Sequence, residues 1–315
     1  MIAASDALRF GPHLDVAVGT SAAAIAGVAL ENQDNFLLID AHGRAAFLRD
    51  QQAQRQDVDG WREGHVRLAV LDGMGGHGRG REAAEAVVAG LLAMTPCHTL
   101  AELSDRLDAL HAALQRDFAG DDDAARRPGT TLTLLECPLG QAPLLYHIGD
   151  SRLYEITAEH ALPLTVDHVP ATAFAMAGVL GEQEWWQQVH GEHRSQIAQA
   201  FILGNAFAQP SMLSDPLFEL TPLNLPAWLG HLRDRRALTL RTGAVYLLAT
   251  DGFWACAAPQ RWIGRWPQLL ARGASAGAMA TLLFDAMRSA PPAGLHLDNL
   301  TAIVVRPLAG DETYA

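Results

Sequence analysis

The amino-acid sequence predicts an α+β fold in which strands and helices occupy separate layers, and three observations lead there. Short apolar runs rich in Val, Ile, Leu or Thr recur between Gly, Pro and polar residues, as buried strands do. Helical periodicity is confined to three segments. The order is strands, two helices, more strands, an irregular stretch, then strand, helix and strand, which is not the strict alternation of a parallel βαβ sheet.

The elements follow in chain order. Phe36–Ile39 and His65–Leu71 read as buried strands. A helix fits Gly80–Met94, where Ala83, Ala84, Val87, Val88, Leu91 and Leu92 return at three- and four-residue steps. A second fits Thr99–Phe118, with Leu103, Leu107, Leu110 and Leu114 on one stripe. The charged stretch Gly120–Arg127 reads as a loop, and Pro128-Gly129 as the turn into the next strand. Strands are expected at Thr130–Glu136, Leu144–Ile148, Ala244–Ala249 and Leu300–Val305, with a third helix over Ser275–Arg288. Between them, from His168 to about Arg241, lie Trp185-Trp186, several Pro residues and no clean period. That region reads as an insert, at about residues 169–240, packed on one domain spanning 1–315.

Composition narrows the function. The chain is 49% hydrophobic and 18% charged, ordinary for a globular protein and unlike a disordered one. A net charge of −12 argues against nucleic acid or an anionic membrane as the main partner. Three widely separated cysteines, Cys97, Cys137 and Cys256, form no ligand spacing and fit a reducing compartment. The Ala-rich stretch from Val16 to Leu30 is too short to span a bilayer. The expectation is a soluble, cytoplasmic monomer.

Five aspartates end apolar, strand-like runs: Asp34, Asp72, Asp150, Asp251 and Asp298. Aspartate is depleted in strands and costly to bury unpaired. Five such carboxylates converge only around positive charge, and hard divalent cations with oxygen ligands are the natural source. Asp72 is followed by Gly-Met-Gly-Gly-His-Gly-Arg-Gly, so the backbone can approach an ion and the Gly73 carbonyl can ligate it. A carboxylate shared by two ions roughly 3.5–4 Å apart would activate a water for in-line phosphoryl displacement, with no protein nucleophile.

The ordered set Asn-Gln-Asp (32–34), Asp-Gly-Met-Gly-Gly (72–76), Gly-Thr-Thr (129–131), Gly-Asp-Ser-Arg (149–152), Leu-Thr-x-Asp-His (164–168), Thr-Asp-Gly-Phe-Trp (250–254) and Asp-Asn-Leu-Thr (298–301) resembles the PPM (type 2C) metal-dependent serine/threonine phosphatases, bacterial type. The match runs from about residue 15 to 306. It implies a central antiparallel β-sandwich flanked by helices on both sides, four layers in the order αββα. It implies two Mn²⁺ or Mg²⁺ ions per chain and a phosphoserine or phosphothreonine protein as substrate, with a Ser/Thr kinase or its target as partner. Residue by residue, Asp72 would bridge the ions and Gly73 offer its carbonyl. Asp251 and Asp298 would ligate one ion of the pair, and Asp34 would hold the water shell of the second. Asp150 matches the position that helps bind a third ion, which Asp251 would share. The segment after Asp167-His168 would be the flap over the substrate.

Two positions depart from the family pattern. An arginine that grips the substrate phosphate is replaced near Ala29 and Leu30, leaving Arg79, Arg81 or an insert residue such as Arg194 to substitute. Met74 stands where many eukaryotic members carry a histidine, as in bacterial relatives. His77 is the nearest candidate for the acid that protonates the leaving serine oxygen, alongside an ion-bound water. Thr130 and Thr131 are expected to pack or cap rather than touch substrate. With the arginine gone, the rival reading is a phosphoprotein-binding regulatory module with little or no turnover.

Overall fold

The structure, a computed structural model, describes residues 8–25, 27–75, 79–118, 127–192, 194–208 and 213–309. Its longer strands are β1 (Leu14–Ser21), β2 (Asn35–Ile39), β3 (Arg44–Arg49), β4 (Gln52–Asp57), β5 (Val66–Leu71), β6 (Leu132–Cys137), β7 (Leu144–Ile148), β8 (Arg152–Ile156), β9 (Ala161–Pro163), β10 (Arg235–Ala237), β11 (Val245–Ala249) and β12 (Leu300–Pro307). They form two antiparallel sheets, one ordered β1-β12-β11-β8-β9 and the other β10-β7-β6-β5-β2-β3-β4. The helices are α1 (Arg79–Ala93), α2 (Leu100–Asp117), α3 (Pro170–Met176), α4 (Glu182–His190), α5 (Pro259–Ile263), α6 (Trp266–Leu270) and α7 (Ala276–Ser289).

Successive strand residues face opposite layers, which explains the unbroken apolar runs. In β2, Phe36 and Leu38 meet Val16, Val18, Leu248 and Ile303 between the sheets. Leu37 and Ile39 turn the other way, onto Ala83, Val87 and Leu91 of α1 and Leu103 of α2. In the second sheet, Leu247, Ala249 and Val304 pack outward on Trp262, Trp266 and Leu283 of α5 to α7. A strand covered on both faces has no polar side to alternate with. The result is the αββα sandwich that the sequence leads one to expect.

Element ends shift by a residue or two for identifiable reasons. Thr99 and Ser275, read as first helical residues, are N-caps instead: their hydroxyls accept from Glu102 N and Ala278 N at 3.2 Å each. The strand expected at Thr130–Glu136 breaks at Thr131, whose amide bonds the Asp72 carbonyl at 2.9 Å, and resumes as β6. β3 and β4 carry little strand signal, since all of β4 is exposed. They are joined by a two-residue turn with Asp50 at φ 49° and Gln51 at φ 61°, the geometry that matches strand twist in a hairpin. Most of the loop read at 120–127 lies outside the described residues.

Arg67 in β5 fixes the far end of α1. Its guanidinium grips Glu136 at 2.6 and 2.8 Å and donates to the Leu91 and Met94 carbonyls at 2.6 and 2.9 Å. Burial alone would raise the Glu136 pKa, but Arg67 and His65 hold it down at about 2. The buried charge is therefore paired, and the last carbonyls of α1 gain a cation.

The insert has a core of its own, with Val166, Ala171, Ala175, Trp185, Leu220 and Leu229 in contact. Of the tryptophan pair, Trp185 is buried and donates to Thr172 at 3.1 Å, while Trp186 is 37% exposed. At its end the insert is stitched into the main sheet, because β10 pairs with β7 and Arg235 holds Asp108 of α2 at 2.9 and 3.0 Å. All three cysteines are free and buried. Among the described residues, no helix is long and apolar enough to cross a membrane.

Candidate metal centre

Strand direction alone brings the five aspartates to one end of the sandwich. Asp34 precedes β2 and Asp72 follows its antiparallel neighbour β5, in a register that sets Asn35 opposite Leu71. Asp251 follows β11 and Asp298 precedes its neighbour β12, with Ala249 opposite Ala302. Asp150 sits where the chain crosses from β7 in one sheet to β8 in the other, and Arg152 pairs with Ala249.

Hydroxyl groups fix these turns. Thr250 donates to Asp34 Oδ2 at 2.8 Å and accepts from Thr301 N at 3.0 Å. Thr301 bonds Thr20 at 2.9 Å, and Asn32 donates to Thr20 at 2.9 Å, closing a network across both sheets. Thr131 accepts from the Asp72 amide at 2.9 Å and bonds the Ser151 hydroxyl at 2.6 Å. Thr131 thus caps rather than reaching for substrate, as its position in the sequence leads one to expect. Thr250 and Thr301 stand in the motifs quoted above, but nothing in the sequence marks Thr20 as their partner.

Glycines let backbone close in. A Cβ on Gly73 would lie 2.3 Å from the Gly80 carbonyl of α1 and 2.5 Å from that of Gln33. One on Gly252 would lie 2.1 Å from the Asn299 carbonyl. Both contacts forbid a side chain, so the loops behind Asp72 and Asp251 pack directly on neighbouring turns.

The carboxylates act on one another. Burial pushes Asp34 up to about 8, against hydrogen bonds from Thr250 and Thr301 and with the charges of Asp298 and Asp251. Asp72 is held well above the usual range by burial first, then by Asp251, Asp34, Asp298 and Asp150. Asp150 is raised by burial, Asp251 and Asp167, partly offset by Arg152. Among the described residues, no three His, Cys, Asp or Glu side chains close into a ready-made cage around one point. The donor set is nonetheless all oxygen. Mg²⁺ and Mn²⁺ suit such a set, since Mg²⁺ keeps several waters and needs only one or two carboxylates directly.

Beside Asp150 opens a cleft of about 460 Å³ between the sandwich and the insert. Its lining includes the Arg152–Asp167 pair, closed at 2.7–3.1 Å, together with Glu184 and Gln187 of α4, Arg194 and Trp254. His168 and Gly149 hold each other: Gly149 N donates to His168 Nδ1 at 2.9 Å, and His168 N to Gly149 O at 2.8 Å. Burial keeps His168 near a pKa of about 3, so it is a neutral structural acceptor. Ala29, where the resemblance leads one to expect an arginine, lies exposed, with Ala24-Ile25 paired to Val28-Ala29. His77 lies outside the described residues.

Comparison with known proteins bears on the fold. No family model matches the chain. Protein phosphatase PhpP of Streptococcus pneumoniae is 34% identical over 129 residues, covering 39% of this chain and 52% of that protein. The chain thus spans about half the length of the curated relatives it matches. The serine/threonine phosphatase of S. agalactiae superposes with a TM-score of 0.64 at 19% identity, over 94% of this chain and 100% of that one. The catalytic domain of the serine threonine protein phosphatase PstP, in complex with 2 manganese ions, gives 0.57 at 20% identity, over 94% and 99%. The fold is that of these phosphatases, and the resemblance read in the sequence is borne out.

Proposed function

We propose that the protein is a metal-dependent phosphoprotein phosphatase that hydrolyses phosphoserine and phosphothreonine. The observation that carries this reading is the convergence of Asp34, Asp72, Asp150, Asp251 and Asp298 at one end of the sandwich, where each raises its neighbours' resistance to ionisation. Buried carboxylates that repel one another either keep protons or bind cations, and such a cluster is a ready host for cations. The likeness to phosphatases, one of them holding two manganese ions, supports the same conclusion.

Asp72, Asp251 and Asp298, with the Gly73 carbonyl, would hold the paired Mn²⁺ or Mg²⁺ ions, Asp34 would order their water, and Asp150 would serve a third position. Bound there, such ions supply a water of lowered pKa and positive charge facing the phosphate. The chain's own part is orientation. Thr250 aims Asp34, Thr131 aims Asp72, and the Arg152–Asp167 pair braces the turn carrying Asp150. The substrate would be a phosphorylated protein, a Ser/Thr kinase or its target, entering across the cleft beside Asp150.

The test is direct. Purified protein with Mn²⁺ should hydrolyse an aryl phosphate and a phosphopeptide, and lose both activities with chelator or on Asp251→Ala. Ala29 in place of a phosphate-gripping arginine favours one rival, a module that binds phosphoproteins without turnover. Phosphopeptide binding with no hydrolysis at any Mn²⁺ concentration would establish that rival and remove the enzyme reading.

A further inference from the structure

We infer that Arg194, on the insert, supplies the cation that grips the substrate phosphate in place of the arginine missing near Ala29; the inference rests on the phosphatase reading. Of the three arginines that the sequence leaves open, two are engaged. Arg81 Nε holds Glu31 at 2.8 Å, and its Nη1 holds Glu85 at 3.0 Å and Asp50 at 3.2 Å. Three carboxylates, one of them four residues on in the same helix, thus hold that guanidinium on two of its nitrogens. Arg79 lays its guanidinium over the Phe118 ring, 5.6 Å from the centroid, at the start of α1. Arg194 differs from both: it lines the cleft that opens at Asp150, and among the described residues it makes no hydrogen bond or ion pair.

Its backbone setting is what makes the assignment. Arg194 lies between two anchors, and both act on residues within two positions of Asp150. Upstream, the Val189 carbonyl accepts from Arg152 Nη2 at 2.8 Å, two residues after Asp150. Downstream, Ala198 N donates to the His168 carbonyl at 2.7 Å, and His168 is locked reciprocally to Gly149, one residue before Asp150. Both anchoring side chains, Arg152 and His168, are fully buried. The chain bearing Arg194 is therefore tied at each side to the turn that carries the carboxylate, not to the insert's own core alone. The other cation in the cleft, Arg152, is buried and held by Asp167, Tyr154 and the Val189 carbonyl.

A guanidinium suits this task because its planar fork meets two phosphate oxygens at once and stays charged at any working pH. Moving that fork from the first motif to the insert leaves the carboxylate end unchanged and brings the phosphate grip in from the cleft side.

The experiment measures inorganic phosphate binding to the Mn²⁺-loaded protein by calorimetry, together with phosphopeptide kinetics. Arg194→Ala should weaken phosphate binding and raise KM by about ten- to a hundredfold, the range for losing hydrogen bonds to a charged group, with a smaller change in kcat. Arg194→Lys should recover part of the phosphate affinity, and the melting temperature should not move. Unchanged phosphate affinity in Arg194→Ala, or a loss confined to Arg79→Ala or Arg81→Ala, overturns the assignment. If the wild type binds phosphate but shows no turnover, the phosphatase reading fails while Arg194 is still judged by the binding arm. If the loaded wild type binds no phosphate at all, the assignment fails too.

Discussion

Thr131→Val isolates the cost of aiming the central carboxylate. Valine keeps the shape of threonine and removes the hydroxyl that accepts from the Asp72 amide at 2.9 Å and meets Ser151 at 2.6 Å. Thr131 is fully buried, so water cannot take over either bond. An orphaned buried donor costs about 1–3 kcal/mol, and the second lost bond about 1 kcal/mol more. The expected loss is thus about 2–4 kcal/mol, and at about 2 °C per kcal/mol for a chain of this size the midpoint should fall by about 4–8 °C. The same change frees the backbone at Asp72, and groups that orient a metal ligand are typically worth about tenfold or more in ion affinity. Thermal unfolding without metal and Mn²⁺ titration by calorimetry read the two effects separately. Thr131→Ser is the control: it keeps both bonds and loses only the methyl that packs against Gly149, worth about 1 kcal/mol. If Thr131→Val matches wild type in both assays, or Thr131→Ser is the more damaging change, the hydroxyl does not position Asp72.

Two further outcomes follow from the same end of the sandwich. Because Asp34 is raised from 3.8 to about 8 and Asp72 also rises, the metal-free folded state holds protons that the unfolded chain releases. That stability is fully present below pH 3.8 and is lost as pH climbs through about 8, and Mn²⁺ should reverse the trend by expelling those protons. Calorimetry in buffers of different ionisation enthalpy should therefore record proton release on binding at pH 6, and a buffer-independent heat would contradict the carboxylate assignment. Gly73→Ala should unfold at much lower temperature and lose Mn²⁺ binding, since its Cβ would enter the Gly80 and Gln33 carbonyls; a melting point within about 1 °C of wild type would refute that packing.

What was legible in the sequence and what was not divide along physical lines. β2, β5, β7, β11 and β12 were readable because helices cover one face and the opposite sheet covers the other. β4 escaped because it lies at an exposed edge, and β8 because Arg152 and Glu155 look unlike strand residues. Their partners, Asp167 for the one and Tyr246 for the other, come from distant segments. The insert had no period because much of its order comes from single contacts such as Arg235 with Asp108. At the site, the aspartates announced themselves by type and spacing. The way they are held did not, because the bonds joining Thr20, Thr250, Thr301 and Asp34 form only once the sheet register sets these residues side by side. The engagement of Arg81 was only partly legible: Glu85 lies one helical turn on, but Glu31 and Asp50 reach it only in the folded chain.

The sandwich is two leaves, and its acidic residues are shared between them. Asp34 and Asp72 ride on the leaf containing β2 and β5, while Asp251 and Asp298 ride on the leaf containing β11 and β12. Without cations, this margin of the molecule is where the leaves repel, and so where the fold opens most readily. On the metal-dependent reading, cations bound there would act as a clasp, and a ligand that binds only the closed form holds it shut in proportion to its concentration over its Kd. Divalent ion supply would then govern the protein's resistance to unfolding and proteolysis as well as its activity.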